Sequence, residues 1–213
     1  MVQVLPATLL RFRRLRPGVQ VHLRDMPSLA QEEALQNGEI DLGFVRLPLA
    51  DPGLRCAPVL HERMVAALGA GSEWSARAGL ASLAGRPFVA CSRAVSASYR
   101  DHVHALCRVA GFEPRVEAEV NDLFSVLQLV RAGVGVALVP GAAAFMRVPG
   151  VRFEKIRVPE ATWDIGLARR RPSERDALVE AFAGVAAEVC AERPRRPLGP
   201  PLPPSGLSRR AGR

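Results

Sequence analysis

Five polar side chains occupy positions where a predicted strand meets a predicted helix: Ser28, Arg46, Ser92, Arg93 and Asn121. In open α/β sheets, small ligands bind beyond the carboxyl ends of strands, where helix N-termini also offer unpaired N–H groups. Hydroxyl, amide and guanidinium groups together suit a small carboxylate or another anion. Any one of the five could be an ordinary cap or turn residue, but as a set they favour a ligand-binding cleft.

No motif for catalysis or for metal binding stands out. The Gly-Val-Gly run at 133–135 follows a predicted helix and precedes a predicted strand, which is the wrong order for a phosphate-binding loop. His102 and His104 are two residues apart on a predicted helix, so they face different directions and cannot share a metal ion. Cys91 ends a predicted strand, but the sequence identifies no histidine to activate it, and a buried thiol is the better interpretation. We therefore expect no enzymatic activity, no cofactor and no metal.

The elements that would carry these residues alternate between helix and strand, which predicts an α/β fold. Apolar residues at helical spacing, with Pro or Gly near the ends, predict helices at about 6–16, 28–37, 96–110, 122–132 and 174–191. Alternating or continuous apolar runs predict strands at about 19–23, 40–45, 59–68, 87–91, 115–120, 134–139, 151–158 and 163–169. The run at 40–45 is typical of a strand buried on both faces in a parallel sheet, and Ser28 is a candidate cap for the helix before it.

Length and composition indicate a globular protein of one large domain or two small ones, with 213 residues, 48% of them hydrophobic and 23% charged. Its four cysteines form no CxxC pair, so reduced thiols are expected. The nonpolar stretch from Val134 to Met146 is too short to span a membrane, and the first residues lack the apolar core of an export signal. We expect a cytoplasmic protein with no membrane partner.

The net charge of +8 does not by itself indicate a nucleic-acid-binding surface. Six of the arginines lie in residues 193–213, together with six prolines and no acidic residue, so that residues 1–192 carry only +2. A segment of this composition cannot bury enough apolar surface to fold. We predict that 193–213 is a disordered tail.

Two segments carry a resemblance to a known family: residues 33–44, with the sequence EALQNGEIDLGF, and residues 129–140, with the sequence LVRAGVGVALVP. Shorter matching stretches are found at 5–19 and at 111–114, where the sequence is GFEP. In this order and spacing, over roughly residues 5–190, the chain resembles the effector-binding domain of LysR-type transcriptional regulators.

The resemblance implies a two-lobed α/β fold of the type II periplasmic-binding-protein kind, with a small effector bound between the lobes. Lobe one would comprise residues 1–66 and 162–192, and lobe two residues 67–161. The run Phe44-Val45-Arg46 also resembles the subgroup that senses acids from aromatic catabolism. In that subgroup the positions of Arg46 and Ser28 contact the effector carboxylate. Asn121 would face the effector from lobe two, and Ser92 and Arg93 match effector-binding positions more loosely.

The resemblance also implies partners: a small-molecule effector, a second copy of the chain in a homodimer, and a tetramer in the full-length form. The family reads DNA through an N-terminal winged helix-turn-helix, which does not precede Met1 in this sequence, so this chain is expected to bind DNA weakly or not at all. Two alternatives remain open. A solute-binding protein would share the fold but would need an export signal, and an enzyme on the same fold would need catalytic residues that the sequence does not show.

Overall fold

The computed structural model describes residues 4–49, 51–170 and 177–192. Its α-helices are α1 (Val4–Leu15), α2 (Ser28–Asn37), α3 (Ala97–Val109), α4 (Leu123–Arg131) and α5 (Ala177–Glu192). Its strands are β1 (Gly43–Arg46), β2 (Arg55–Gly69), β3 (Pro87–Cys91), β4 (Arg115–Val120), β5 (Ala137–Pro140), β6 (Val151–Lys155) and β7 (Thr162–Arg169). The predicted disordered tail at 193–213 and the predicted start of the last helix at 174–176 lie outside the described residues.

The chain divides into two compact units. Unit 1 consists of the described residues up to Arg63 and those from Thr162 onward, and unit 2 consists of Met64–Ala161. The chain therefore passes from one unit to the other twice, once within β2 and once immediately before β7. Unit 2 is continuous in sequence, whereas unit 1 is assembled from two separate segments.

Unit 1 is built on an antiparallel sheet in which β7 lies between β1 and the first half of β2. In this register Arg46 is opposite Ile165, and Glu62 is opposite Trp163. Because side chains two residues apart on a strand point to the same face, Arg46, Trp163 and Glu62 share one face of the sheet. Both Glu62 and Trp163 are buried there.

Helices α1 and α5 pack together in unit 1. The ring of Phe12 meets that of Phe182 edge to face, with 5.0 Å between the ring centroids. Arg11, at the rim of the same contact, forms ion pairs with Glu188 at 3.0 Å and with Glu192 at 2.7 Å. An aromatic pair inside and exposed charges outside explain why these two amphipathic helices associate.

Unit 2 contains a parallel pair, β3 and β4, and an antiparallel group in which the second half of β2 pairs with both β5 and β6. Leu127 and Val130 of α4 are fully buried against Val139 of β5 in the main core cluster. Gly135 precedes β5 where the chain passes Pro87, and a Cβ atom at this position would lie 2.5 Å from the Pro87 carbonyl oxygen. A glycine here lets the two backbones approach and form the parallel bridge that follows.

Most of the predicted elements are confirmed, including all five helices and the strand at 115–120. Residues 19–23 are not a strand, because no described strand pairs with them and alternation alone cannot supply a hydrogen-bonding partner. The predicted parallel strand at 40–45 is also wrong: β1 begins at Gly43 and runs antiparallel to β7. Ser28 is not the cap of α2, since Pro27 occupies that position and makes no side-chain cap bond.

None of the described helices is both long enough and apolar enough to cross a membrane.

Candidate functional site

Ser28 and Arg46 are brought together in unit 1. Helix α2 begins at Ser28, and β1 ends at Arg46. The Arg46 backbone N–H donates a hydrogen bond to the Ser28 hydroxyl oxygen at 3.1 Å. The hydroxyl that was predicted to cap α2 therefore holds the end of the neighbouring strand instead. Its own hydrogen is not used in this bond, so the Ser28 hydroxyl can still donate to another acceptor.

The Arg46 side chain lies against an aromatic ring. The guanidinium carbon is 4.1 Å from the ring centroid of Trp163, which is a cation–π distance. Trp163 is only 5% exposed, so it forms a buried floor beneath the charge. Sequence analysis missed Trp163, because its strand was predictable but the position of that strand beside β1 was not.

The loop after β1 is fixed by polar contacts to α2. The Asp51 backbone N–H donates to the buried Glu32 carboxylate at 3.0 Å, and the Gln36 amide donates to the Asp51 carboxylate at 2.5 Å. The hydrogen bond from Gln36, together with one from the Gly53 backbone N–H, lowers the pKa of Asp51. These contacts fix the loop that follows Arg46. The lowered pKa keeps the Asp51 carboxylate ionised at neutral pH.

Ser92 and Asn121 form the second pair, in unit 2. Strands β3 and β4 are parallel, so their carboxyl ends lie at the same edge of the sheet. The Ser92 hydroxyl donates to the Asn121 side-chain carbonyl at 3.1 Å, and the Ser92 backbone N–H donates to the Val120 carbonyl at 2.8 Å. The Asn121 side-chain NH₂ group takes no part in the bond with Ser92.

Asp122 caps helix α4 directly after this pair. Its carboxylate accepts hydrogen bonds from the Ser125 backbone N–H at 2.8 Å and from the Ser125 hydroxyl at 2.6 Å. These bonds from Ser125 lower the pKa of Asp122. The cap fixes the start of α4 and with it the position of Asn121.

Arg93 pairs with an acidic residue of α3. Both of its terminal nitrogens bind the Asp101 carboxylate on α3, the longer contact being 3.2 Å, and both side chains are exposed. Nearby, Arg100 of α3 is buried and forms an ion pair of 3.0 Å with Glu119 of β4. Sequence analysis did not single out this buried pair, since a charged residue in an amphipathic helix ordinarily faces solvent.

A depression of about 600 Å³ lies elsewhere in unit 2, at the beginning of β3 rather than at its end. Its wall includes Arg86, which donates weakly to Ser72 at 3.5 Å, and Arg131, which donates weakly to Gln128 at 3.5 Å. None of the five predicted site residues lines it. The Ser92–Asn121 pair lies at the opposite end of β3 from this depression.

The thiols and histidines of the described residues form no metal-binding cluster, and the Cys107 thiol is fully buried. No cluster of three or more His, Cys, Asp or Glu side chains that could hold a metal occurs in this part of the chain. Burial, with a smaller contribution from Glu113, raises the pKa of the Cys107 thiol to about 12. His104 contacts Glu113 at 3.1 Å, and the hydrogen bond from His104 is the main reason that the pKa of Glu113 is lowered.

Unit 1 with its antiparallel sheet and unit 2 with its parallel pair make up the α/β, two-lobed fold of type II periplasmic binding proteins. A family model described as the LysR substrate binding domain matches residues 1–191. The chain belongs to this family of effector-binding domains. LysR-type regulators bind small-molecule effectors.

Individual comparisons agree with the family assignment. The chain is 36% identical over 186 residues to the HTH-type transcriptional regulator TfdS of Cupriavidus pinatubonensis (strain JMP 134 / LMG 1197), covering 86% of this chain and 63% of the relative. It superposes on the BenM effector-binding domain with its effector benzoate with a TM-score of 0.77 at 24% identity, covering 88% and 86% of the two chains. It superposes on full-length CbnR complexed with its target DNA with a TM-score of 0.72 at 26% identity, covering 88% and 64%.

The chain spans between about half and two-thirds of the length of the curated relatives that it matches. These relatives are named as transcriptional regulators rather than as enzymes.

Proposed function

We propose that this chain is the sensing domain of a LysR-type transcriptional regulator, and that its effector is a small carboxylic acid, with aromatic acids as candidates, bound at Arg46 and Ser28. The observation that carries the proposal is the 3.1 Å hydrogen bond from the Arg46 backbone to the Ser28 hydroxyl. It joins, at the end of β1 and the beginning of α2, the two residue types that a carboxylate requires: a cation and a hydroxyl donor.

The electrostatics of this corner of unit 1 favour an anion. Arg46 carries a permanent positive charge, and the first turn of α2 adds backbone N–H groups and the positive end of a helix dipole. The Ser28 hydroxyl can donate its hydrogen to a carboxylate oxygen while its own oxygen accepts from Arg46. The benzoate-bound BenM domain, which shares the fold, supports an aromatic acid as the class of ligand.

We also propose Ser92, Asn121 and Arg93 of unit 2 as effector-binding residues, with unequal roles. Ser92 and Asn121 form a hydrogen-bonded pair whose remaining amide hydrogens suit a second acceptor on the ligand. Arg93 would contribute only after giving up part of its ion pair with Asp101. Its contribution is therefore proposed as the weakest of the five.

Calorimetric titration of the domain with benzoate and with cis,cis-muconate tests the site. Arg46→Ala should weaken binding by about 1.5–3 kcal/mol, or roughly ten- to a hundredfold, because a charge-assisted bond at a half-buried site is lost. Arg55→Ala is the matched control, since it removes the same charge from an exposed position of unit 1 and should leave affinity unchanged. Equal binding by wild-type protein and a folded Arg46→Ala variant would show that Arg46 is structural.

We also propose that the domain forms a homodimer and, within a full-length regulator, a tetramer. Leu10 and Leu15 of α1 and Leu178 of α5 are exposed apolar side chains on neighbouring helices of unit 1, and such side chains are suited to an interface between two copies. Sedimentation at tens of micromolar should give a dimer, and Leu10→Glu should shift it toward monomer. A monomeric wild-type chain would contradict the assignment.

Recognition of DNA we assign to a part of the regulator other than this domain, acting in the cytoplasm. A mobility-shift titration of this chain alone should show no sequence-specific binding at physiological salt. Specific binding by the isolated chain would overturn the assignment.

A further inference from the structure

The contact between Arg46 and Trp163 is set by the backbones on which both residues lie. Arg46 ends β1 opposite Ile165 of β7, and the ladder continues with a hydrogen bond of 3.0 Å from the Leu47 N–H to the Asp164 carbonyl. Trp163 therefore lies one residue beyond the point where the ladder ends, on the same face of the sheet as Arg46. The bond from Arg46 to Ser28 fixes the same point from the α2 side.

An indole ring beneath a guanidinium restricts the conformations that the arginine side chain can adopt. A ring beneath one face of a planar guanidinium does not cover the in-plane N–H directions, along which a carboxylate binds with both oxygens. An arginine without such support would sample many rotamers, and binding would have to restrict them. The 4.1 Å contact thus acts on the orientation of the donors as well as on packing.

We propose that Trp163 is a positioning residue for Arg46: by stacking beneath the guanidinium, it presents the charged donors to the effector and makes the site selective for carboxylates over neutral analogues. This inference rests on the proposed carboxylate site. It predicts that loss of the ring affects the binding of charged ligands more than that of neutral ligands with the same shape.

The composition of the chain provides an internal control. It contains two tryptophans, and both are buried. Trp74 lies in unit 2, where its indole N–H donates to the Ser82 hydroxyl at 2.7 Å. Ser82 is not one of the five predicted site residues. Trp74→Phe therefore leaves Trp163 as the sole tryptophan and serves as the matched control for substitution of a buried indole.

The test compares Trp163→Leu and Trp163→Phe in this single-tryptophan background. First, the side-chain Nε–H resonance of Arg46, assigned by its disappearance in Arg46→Gln, is followed by NMR without ligand. A ring-shifted resonance is expected with Trp163, a partly shifted one with Phe and an unshifted one with Leu.

Second, benzoate and its neutral analogue benzamide are titrated calorimetrically. We expect Trp163→Leu to lower the benzoate-to-benzamide affinity ratio by about two- to thirtyfold, and Trp163→Phe to lower it less.

The outcomes separate the two proposals. An Arg46 resonance that does not move in Trp163→Leu, or equal losses of benzoate and benzamide affinity, would overturn the positioning role while leaving the carboxylate site intact. A wild-type protein that shows the ring-shifted resonance but binds neither benzoate nor cis,cis-muconate would contradict the proposed carboxylate effector, and the selectivity role of Trp163 with it. Thermal unfolding verifies the fold of each variant. If Trp163→Leu does not fold, the benzoate-to-benzamide affinity ratio of Trp163→Phe decides the test.

Discussion

The hydroxyl of Ser28 accepts a hydrogen bond of 3.1 Å from the backbone of Arg46, which links the first turn of α2 to the last residue of β1. A helix start and a strand end that are separated in sequence are thereby held at a fixed distance. The bond places the Ser28 hydroxyl beside the backbone of Arg46, whose side chain is the proposed partner of the effector carboxylate. The contact thus has a structural consequence and a proposed functional one, and two different measurements follow them.

Ser28→Ala should weaken both the fold and carboxylate binding. Removal of the acceptor leaves the half-buried Arg46 N–H without its side-chain partner, and we expect a loss of about 1 kcal/mol in the free energy of unfolding. Benzoate affinity should fall by about five- to tenfold because the hydroxyl donor is lost as well. Denaturant unfolding and calorimetry measure the two effects. Ser28→Thr keeps the hydroxyl and should restore most of both, whereas unchanged affinity in Ser28→Ala would remove Ser28 from the site.

Asn121→Asp should reduce carboxylate affinity without unfolding unit 2. The substitution keeps an oxygen that accepts from Ser92 but replaces the amide donor with a negative charge, which would repel an anionic ligand. We expect a decrease of about tenfold or more for benzoate, measured by calorimetry. Ser96→Ala is the control, because Ser96 precedes α3 without making a side-chain cap bond. An Asn121→Asp variant that binds benzoate as well as wild type would exclude Asn121 from contact with the carboxylate.

Asp122→Ala should lower the stability of the protein at neutral pH by about 1 kcal/mol, since the side-chain cap of α4 is lost. The pKa of Asp122 is lowered in the folded protein, so its contribution is fully present above the ordinary carboxyl pKa and is lost as the pH falls through the folded value. Asp122→Asn can still accept from Ser125 but does not titrate. Thermal unfolding between pH 7 and pH 3 should therefore show wild type losing stability relative to Asp122→Asn below about pH 4. Parallel curves for the two proteins would rule out this linkage.

Phe12→Ala should destabilise unit 1 strongly. The ring is 2% exposed and meets Phe182 at 5.0 Å, so its removal leaves a cavity between α1 and α5. A loss of about 3–5 kcal/mol in the free energy of unfolding is expected, measured by urea denaturation. Arg13→Ala, at an exposed position of the same helix, should change stability by less than about 0.5 kcal/mol. Similar losses in the two variants would mean that α1 is held by something other than the aromatic pair.

The sequence predicts those features whose causes are local. Helix α4 follows from its apolar spacing and its acidic cap, and α2 ends at Gly38, whose φ of 76° suits glycine and whose backbone N–H bonds back into the helix. Strand β4 was predicted with its observed bounds because alternation over six residues describes a half-buried strand.

The errors arise where the deciding partner is distant in sequence. The alternating residues 19–23 carry a strand pattern but have no paired strand among the described residues. Strand β1 has the apolar composition of a parallel strand, yet its neighbour is β7 and runs antiparallel. Trp163 and Arg46 lie on adjacent strands that no local pattern could pair. The sequence therefore indicates which residue types are candidates for a site, whereas it does not predict their contacts.

The central position of β7 in the sheet of unit 1 has a consequence for synthesis on the ribosome. Strands β1 and β2 emerge first, but the strand that lies between them begins only at Thr162, after all of unit 2 has been translated. At roughly 5–20 residues per second this delay is on the order of five to twenty seconds. During that interval the contiguous unit 2 can fold, while the nascent unit 1 has neither its middle strand nor the indole beneath Arg46. A chain that ends before Thr162 would therefore contain all of Met64–Ala161 but a unit 1 without its middle strand.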